Sequence, residues 1–275
     1  MRRVRVIGYE TLGIAFALLV FGAPFYFMIV NAGKDAKGAS LLNMEWPSSP
    51  QFWENIRAVI EVRDYLLVRA FVNSTALTLF SIVFLVLFCA MAGFVLQRRR
   101  ERATPVYEFL ILSGLIIPPA IVPTIWVLDG VGLFKTLLGL ILVEVALGFP
   151  FSVLLYKNFM ATVPREIDEA AILDGCGGLR LFFRIIMPLL QPVTATIVVL
   201  SSVTIFNDFT NPLYFLPGAR NVTVQLTLYN FQSQFVTQYN LLFANILLIT
   251  IPPFILFLIF NKRIVAGMTA GSLKA

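Results

Sequence analysis

LLGLILVEVALGFPFSVLLY, residues 137–156, carries a single charged group, Glu144, in a run of otherwise apolar and small residues. A helix rises about 1.5 Å per residue, so roughly 20 apolar residues cross the hydrocarbon of a bilayer. Five further runs of this kind lie on either side of it, at about 9–30, 71–96, 107–127, 186–207 and 241–260. The chain therefore reads as an all-α integral membrane protein of six transmembrane helices, a single domain over residues 1–275. Its composition agrees, with 59% hydrophobic and 13% charged residues, too apolar to clothe a soluble surface.

The first run follows Arg2, Arg3 and Arg5, as a secretory signal would. Its apolar stretch is longer than a signal core, and Asn31-Ala32-Gly33 is a poor cleavage site, so an uncleaved first span is expected. Lys and Arg gather on cytoplasmic ends of spans. Fourteen fall on one side: Arg2, Arg3, Arg5, Arg98, Arg99, Arg100, Arg102, Lys157, Arg165, Arg180, Arg184, Lys262, Arg263 and Lys274. Seven fall on the other: Lys34, Lys37, Arg57, Arg63, Arg69, Lys135 and Arg220. Both termini are thus expected in the cytoplasm. The net charge of +6 is a topology signal first, and no nucleic-acid partner is expected.

Several chemistries are excluded. With no histidine, Ser-His-Asp and Cys-His nucleophile systems cannot be built, nor any zinc site that needs imidazole. Cys89 and Cys176 lack metal spacing and are expected as free thiols. No GxxxxGK[ST] phosphate loop exists, so an ATP-driven process would need a separate ATPase to hold ATP and Mg, and no cofactor is expected in this chain. The outer loop 31–70, with Trp46, Pro47, Pro50 and Trp53, suits a packed cap. Pro118, Pro119 and Pro123 break helical bonds in the third run, which is best tolerated beside protein or a water-filled cavity.

The longest cytoplasmic connection, about 157–185, contains PREIDEAAILDG, residues 164–175. Proline near the start, acids in the first turns and glycine after the last turn describe a short capped helix over 165–175. Small Ala170 and Ala171 beside Glu169 permit close approach of a partner. Physics alone leaves docking and lying flat on the membrane surface equally open.

Glu169-Ala170-Ala171, three residues, Gly175, nine residues, then Ile185-Ile186-Met187-Pro188 resembles the EAA motif of ATP-binding-cassette importer permeases, with Met187 where that family usually has Leu. Asn73-Ser74, Thr136, Phe206-Asn207-Asp208-Phe209, Arg263-Ile264-Val265-Ala266-Gly267 and Gly271-Ser272-Leu273-Lys274 extend the resemblance to the carbohydrate-uptake class, nearest its smaller, maltose-type permease. Two departures are Phe206 for the usual Trp and Ala275 for a frequent terminal Gly.

The resemblance implies a type I importer permease in the bacterial inner membrane, not an enzyme. It would pair with a homologous permease, two ATPase subunits that bind ATP and Mg, an extracytoplasmic solute-binding protein and membrane lipid. It implies ATPase coupling through Glu169, Ala170, Ala171, Asp174, Gly175, Ile185 and Pro188, and an ATPase-contacting tail with Gly267, Gly271 and Lys274. Asn207, Asp208, Asn211 and Tyr214 offer the amide, carboxylate and aromatic groups that sugars need, although Asn and Asp there also suit helix capping. Two other readings stay open. Glu144 could serve a proton-coupled carrier, and the same architecture could import a sugar phosphate such as glycerol 3-phosphate or a non-sugar solute.

Overall fold

The structure, a computed structural model, describes the backbone of residues 2–99, 101–218, 220–232 and 237–272, with side chains from residue 13 through 255 and at 258. Helices dominate it: α1 (Arg2–Ala32), α2 (Ala36–Ser40), α3 (Phe52–Arg98), α4 (Thr104–Ile116), α5 (Ile121–Gly130), α6 (Leu137–Met160), α7 (Glu166–Leu173), α8 (Gly178–Leu181), α9 (Met187–Leu189), α10 (Gln191–Phe206), α11 (Thr210–Phe215) and α12 (Tyr239–Ser272). A π-helical turn, Phe182–Ile186, joins α8 to α9. Among the described residues the only extended pairing is one bridge between Gln232 and Thr237.

Every one of the six apolar runs lies in helix, but not as six uniform rods. Among the described residues three helices are long and apolar enough to cross a membrane, within 13–32, 52–98 and 137–160. Two more crossings exist only if α4 with α5, bent by 117°, and α8–α9 with α10, bent by 75°, each count as one span. The apolar part of α12 described with its side chains, Tyr239–Ile255, is shorter.

The third run, 107–127, whose prolines are expected to break helical bonds, is two helices because Pro118 and Pro119 have no N–H and force the preceding residue out of the helical region. Ile117 accordingly turns extended, with φ −76° and ψ 122°. The fifth run starts at Gln191, not 186. Pro188 and Pro192 each remove a helical donor, and the chain breaks at Leu190 between them. Helix α6 runs on to Met160, shortening the connection expected over 157–185. In the outer segment 31–70, helix α3 already begins at Phe52; its path is interrupted at 62–65, where Arg63, Asp64 and Tyr65 adopt positive φ.

Two compact units are distinguished. The first comprises 1–71 with 223–252, the second 72–222 with 253–275. In the first, the Asn55 amide donates to the carbonyls of Ala32 (2.9 Å) and Lys34 (2.8 Å), and its oxygen accepts from Asn240 (2.9 Å). Phe27 meets Phe243 edge to face at 5.3 Å. Lys34 is buried because its Nζ donates to Asn31 Oδ1 (3.2 Å) and to Asn43 O (2.9 Å) and Oδ1 (2.5 Å). Trp46 packs near Phe52, but Trp46 and Trp53 both stand exposed, unlike the packed cap expected.

In the second unit α6 is the central helix. Half of its apolar window is buried, against 6% for α1. Leu140, Val153, Tyr156 and Met160 of α6 join Leu85 and Cys89 of α3 with Ile186, Leu190 and Ile197 in one core. Close approach depends on Gly93, where a Cβ would stand 2.6 Å from Tyr156 Cβ and 2.9 Å from the Lys157 nitrogen. Tyr156 Oη, buried, is satisfied by Thr194 Oγ1 at 2.9 Å. The many apolar side chains left outward on α3, α4 and α6 suit a hydrocarbon solvent.

Candidate functional site: a capped loop helix and a carboxyl-lined cavity

Residues 164–175 form a helix of eight residues, Glu166–Leu173, one position shorter at its start than expected and closed by Asp174 and Gly175. Its C-terminus is a Schellman motif: Gly175 N–H donates to Ile172 O (2.9 Å) and Cys176 N–H to Ala171 O (2.9 Å). Gly175 supplies the φ of +80° that this cap needs, and nothing lies within 4 Å of where its Cβ would be. Glu166, Asp168 and Glu169 in the first turn complement the helix dipole.

The two faces of α7 differ. Asp168 and Ala171 point into the second unit, with Ile167 half-buried beside them. Glu169, Ala170 and Asp174 are exposed, and with them Ile172 at 59% and Leu173 at 88%. The paired alanines therefore separate: Ala171 fills the chain's own core, and only Ala170 keeps the outer face low. Ile172 and Leu173 were not singled out in the sequence. A helical wheel carries the signal, since at about 100° per residue Ile172 lies about 140° around the axis from Ile167. Ile185 is half-buried in the π-helical turn and Pro188 is exposed.

At the far end of α6 a cavity of about 340 Å³ is lined by Glu144 and Phe151 of α6, Ser201 and Thr204 of α10, and Asp208 and Asn211 beyond it. Helix α6 is aimed by Thr136, whose Oγ1 accepts from Gly139 N–H at 3.0 Å and donates to Leu133 O at 2.7 Å. Glu144, nearly buried, accepts from Asn211 Nδ2 at 3.3 Å, and Asp208 lines the same cavity. Asp208 Oδ1 also accepts from the backbone N–H of Thr210 (2.9 Å) and Asn211 (3.3 Å) at the entry to α11. Its Oδ2 is buried without a hydrogen-bond donor. Asp208 thus caps a helix and lines the cavity at once.

Of the four expected pathway residues, the fold brings Asp208 and Asn211 together on this cavity, whereas Asn207 and Tyr214 are exposed and stand outside its lining. Ser201, Thr204 and Phe151 join it unannounced, because nothing in a linear reading relates α6 to α10. Of the tail, Gly267 and Gly271 continue the backbone of α12, while Lys274 lies outside the described residues. Cys89 and Cys176 are free thiols. No group of three or more His, Cys, Asp or Glu suited to a metal occurs among the described residues.

The sequence of residues 71–270 matches the family model described as binding-protein-dependent transport system inner membrane component. The chain belongs to that family. A binding-protein-dependent transport component of this kind is a membrane permease rather than an enzyme, and the match spans α7, both carboxyls and the cavity. Among curated relatives, the melibiose/raffinose/stachyose import permease protein MelC of Bacillus subtilis is 32% identical over 254 residues, 91% of each chain. The probable starch degradation products transport system permease protein AmyC of Thermoanaerobacterium thermosulfurigenes is 30% identical over 277 residues, 100% of each. A chain from a bacterial ABC transporter involved in the import of the acidic polysaccharide alginate superposes with TM-score 0.80 at 20% identity, covering 95% of this chain and 96% of that one. That likeness establishes the fold, the ABC importer permease fold expected from the EAA resemblance.

Proposed function

We propose that this transport component is the membrane-spanning permease subunit of an ATP-driven importer of neutral sugars. It forms half of the solute pathway, beside a homologous permease, two ATPase subunits and an extracytoplasmic solute-binding protein. The observation that carries the coupling role is the outer face of α7, where Ala170, Ile172 and Leu173 lie exposed between Glu169 and Asp174. An apolar face on a short, firmly capped helix needs a partner surface to bury it. Gly175, Ile185 and Pro188 set the elbow on which that face is presented, and Ala171 lets the helix lie close to its own bundle.

The substrate class rests on two supports. The names of the relatives carry neutral oligosaccharides, and the cavity offers the amide, carboxyl and hydroxyl groups that bond sugar hydroxyls, with Phe151 for a ring face. No basic residue lines the cavity, so an anion at that depth would find no cation to pair with. This disfavours the sugar-phosphate alternative. Asn207 and Tyr214, exposed near the same end, are assigned to the wall shared with the second permease. The chain acts as one permease domain over 1–275 with six crossings, two of them bent, and the Lys and Arg distribution puts both termini in the cytoplasm. The tail beyond Arg263, with Gly267, Gly271 and Lys274, is assigned to the ATPase dimer.

Gly175→Trp tests the coupling role. Trp costs the left-handed cap and intrudes on the docking elbow, so the variant is expected in the membrane and assembled, but with solute-stimulated ATP hydrolysis abolished. Normal stimulation in the assembled variant would reject the docking of α7.

A further inference from the structure

We propose that Arg98 and Asp168 are positioning residues that clamp α7 to the cytoplasmic end of α3, so that the two move as one body. The inference rests on the docking role of α7 given above and adds the route by which its displacement reaches a span. Arg98 is the last residue of α3. Its Nε stands 2.6 Å from Asp168 Oδ2, an ion pair whose N–H is not aligned as a hydrogen bond, while a terminal nitrogen donates to Asp168 Oδ1 at 3.2 Å. Both side chains are almost enclosed, 11% and 12% exposed.

The same guanidinium donates to Val163 O at 3.0 Å and Pro164 O at 3.4 Å, in the turn that leads into α7. The contact is reciprocated. Arg165, at the head of α7, donates to Gln97 O at 3.3 Å, one of the carbonyls that a helix leaves unpaired in its last turn. Two arginines thus cross in opposite directions between the same two segments. A planar guanidinium facing a carboxylate on two nitrogens fixes orientation as well as distance, which a single apolar contact does not.

Stability is a poor explanation for the pair. Enclosed ion pairs gain little over apolar residues of equal volume, because both charges must shed water. Rigid geometry is what such a pair adds. Lys157 and Glu108, 2.6 Å apart, tie α6 to α4 through a single ammonium hydrogen bond. Covalent connection joins α7 to α6 and α8, and α6 packs on α3 at Gly93; the clamp adds a direct tie from α7 to α3, which lines the cavity through Leu85.

The test uses the assembled complex with both ATPases, with Cys89→Ala and Cys176→Ser as background and spin labels at Arg99→Cys and Glu166→Cys. In this parent the label separation is expected to keep one narrow distribution with and without ATP plus vanadate. In Asp168→Asn it should widen, and its mean should shift on adding ATP plus vanadate. If Arg98 left unpaired prevents folding, Arg98→Met with Asp168→Leu removes both charges together and should show the same shift. A merely structural pair would lower the yield of complex and leave the separation insensitive to nucleotide. The proposal is overturned if the parent separation already shifts, or if the folded variants keep a nucleotide-independent distribution. Failure of the docking role shows elsewhere, as stimulated hydrolysis surviving in Gly175→Trp.

Discussion

Glu144 is held by an amide, Asn211 Nδ2 at 3.3 Å, and shares its cavity with Asp208 and two hydroxyl-bearing residues of α10. Such neighbours suit the proposed bonding of solute hydroxyl groups. The chain places no Lys or Arg in that lining, and the nearest basic residues in the sequence, Lys135 and Lys157, flank the helix. Glu144→Gln keeps the side-chain shape and an oxygen for Asn211. If the proposed function holds, ATP-driven solute uptake by the reconstituted complex should therefore change by no more than about fivefold, the scale of one neutral hydrogen bond. A proton-driven carrier would lose uptake altogether. Sequence alone made Glu144 conspicuous but left its role open, because a carboxyl is defined by partners 64 and more residues away in the chain.

At the scale of elements, the ends of helices were the most legible features. Gly175 and the acids of Glu166–Glu169 act locally, within a few residues, so the cap of α7 could be read before any packing was known. Thr136 is another local signal, and it fixes where α6 begins. Thr136→Ala should cost about 1 kcal/mol through the lost N-cap, read as a lower midpoint of thermal unfolding in detergent, with Thr136→Ser close to the parent. An unchanged midpoint for the alanine variant would mean that packing of α6 alone sets its start. The bends at 117–120 and at Leu190 were visible as prolines but not as angles. Proline deletes a hydrogen bond and restricts its predecessor, and the direction the chain then takes depends on what it packs against.

At the scale of the molecule, the family match begins at residue 71, beside the boundary between the two compact units at 71 and 72. The transport family signature covers 72–222, with the cavity and α7, and runs on through 223–252 of the first unit, while α1, α2 and Asn55 lie before it. Residues 264–275 lie past the last apolar run and are poor in charge. A chain ending at Arg263 should keep its spans but change the basal ATP hydrolysis of the purified complex or lose ATPase subunits on size-exclusion chromatography. Unchanged hydrolysis with full subunit content would reject the tail contact and leave the role of α7 intact.

What the sequence determined by itself was whatever acts over a short distance or through solvent. The membrane class follows from apolar runs such as 137–156, because hydrocarbon accepts a helix only if its side chains are apolar and its backbone bonds are internal. The cap at Gly175 follows from one residue's freedom at positive φ. Only the tertiary structure could decide that Ala171 turns inward while Ile172 and Leu173 turn outward, that Arg98 meets Asp168 across 70 residues, and that Glu144, Asp208 and Asn211 share one cavity. Those pairings depend on where α3, α6 and α10 cross, and that is set by complementary packing at sites such as Gly93 against Tyr156, which a linear pattern does not encode.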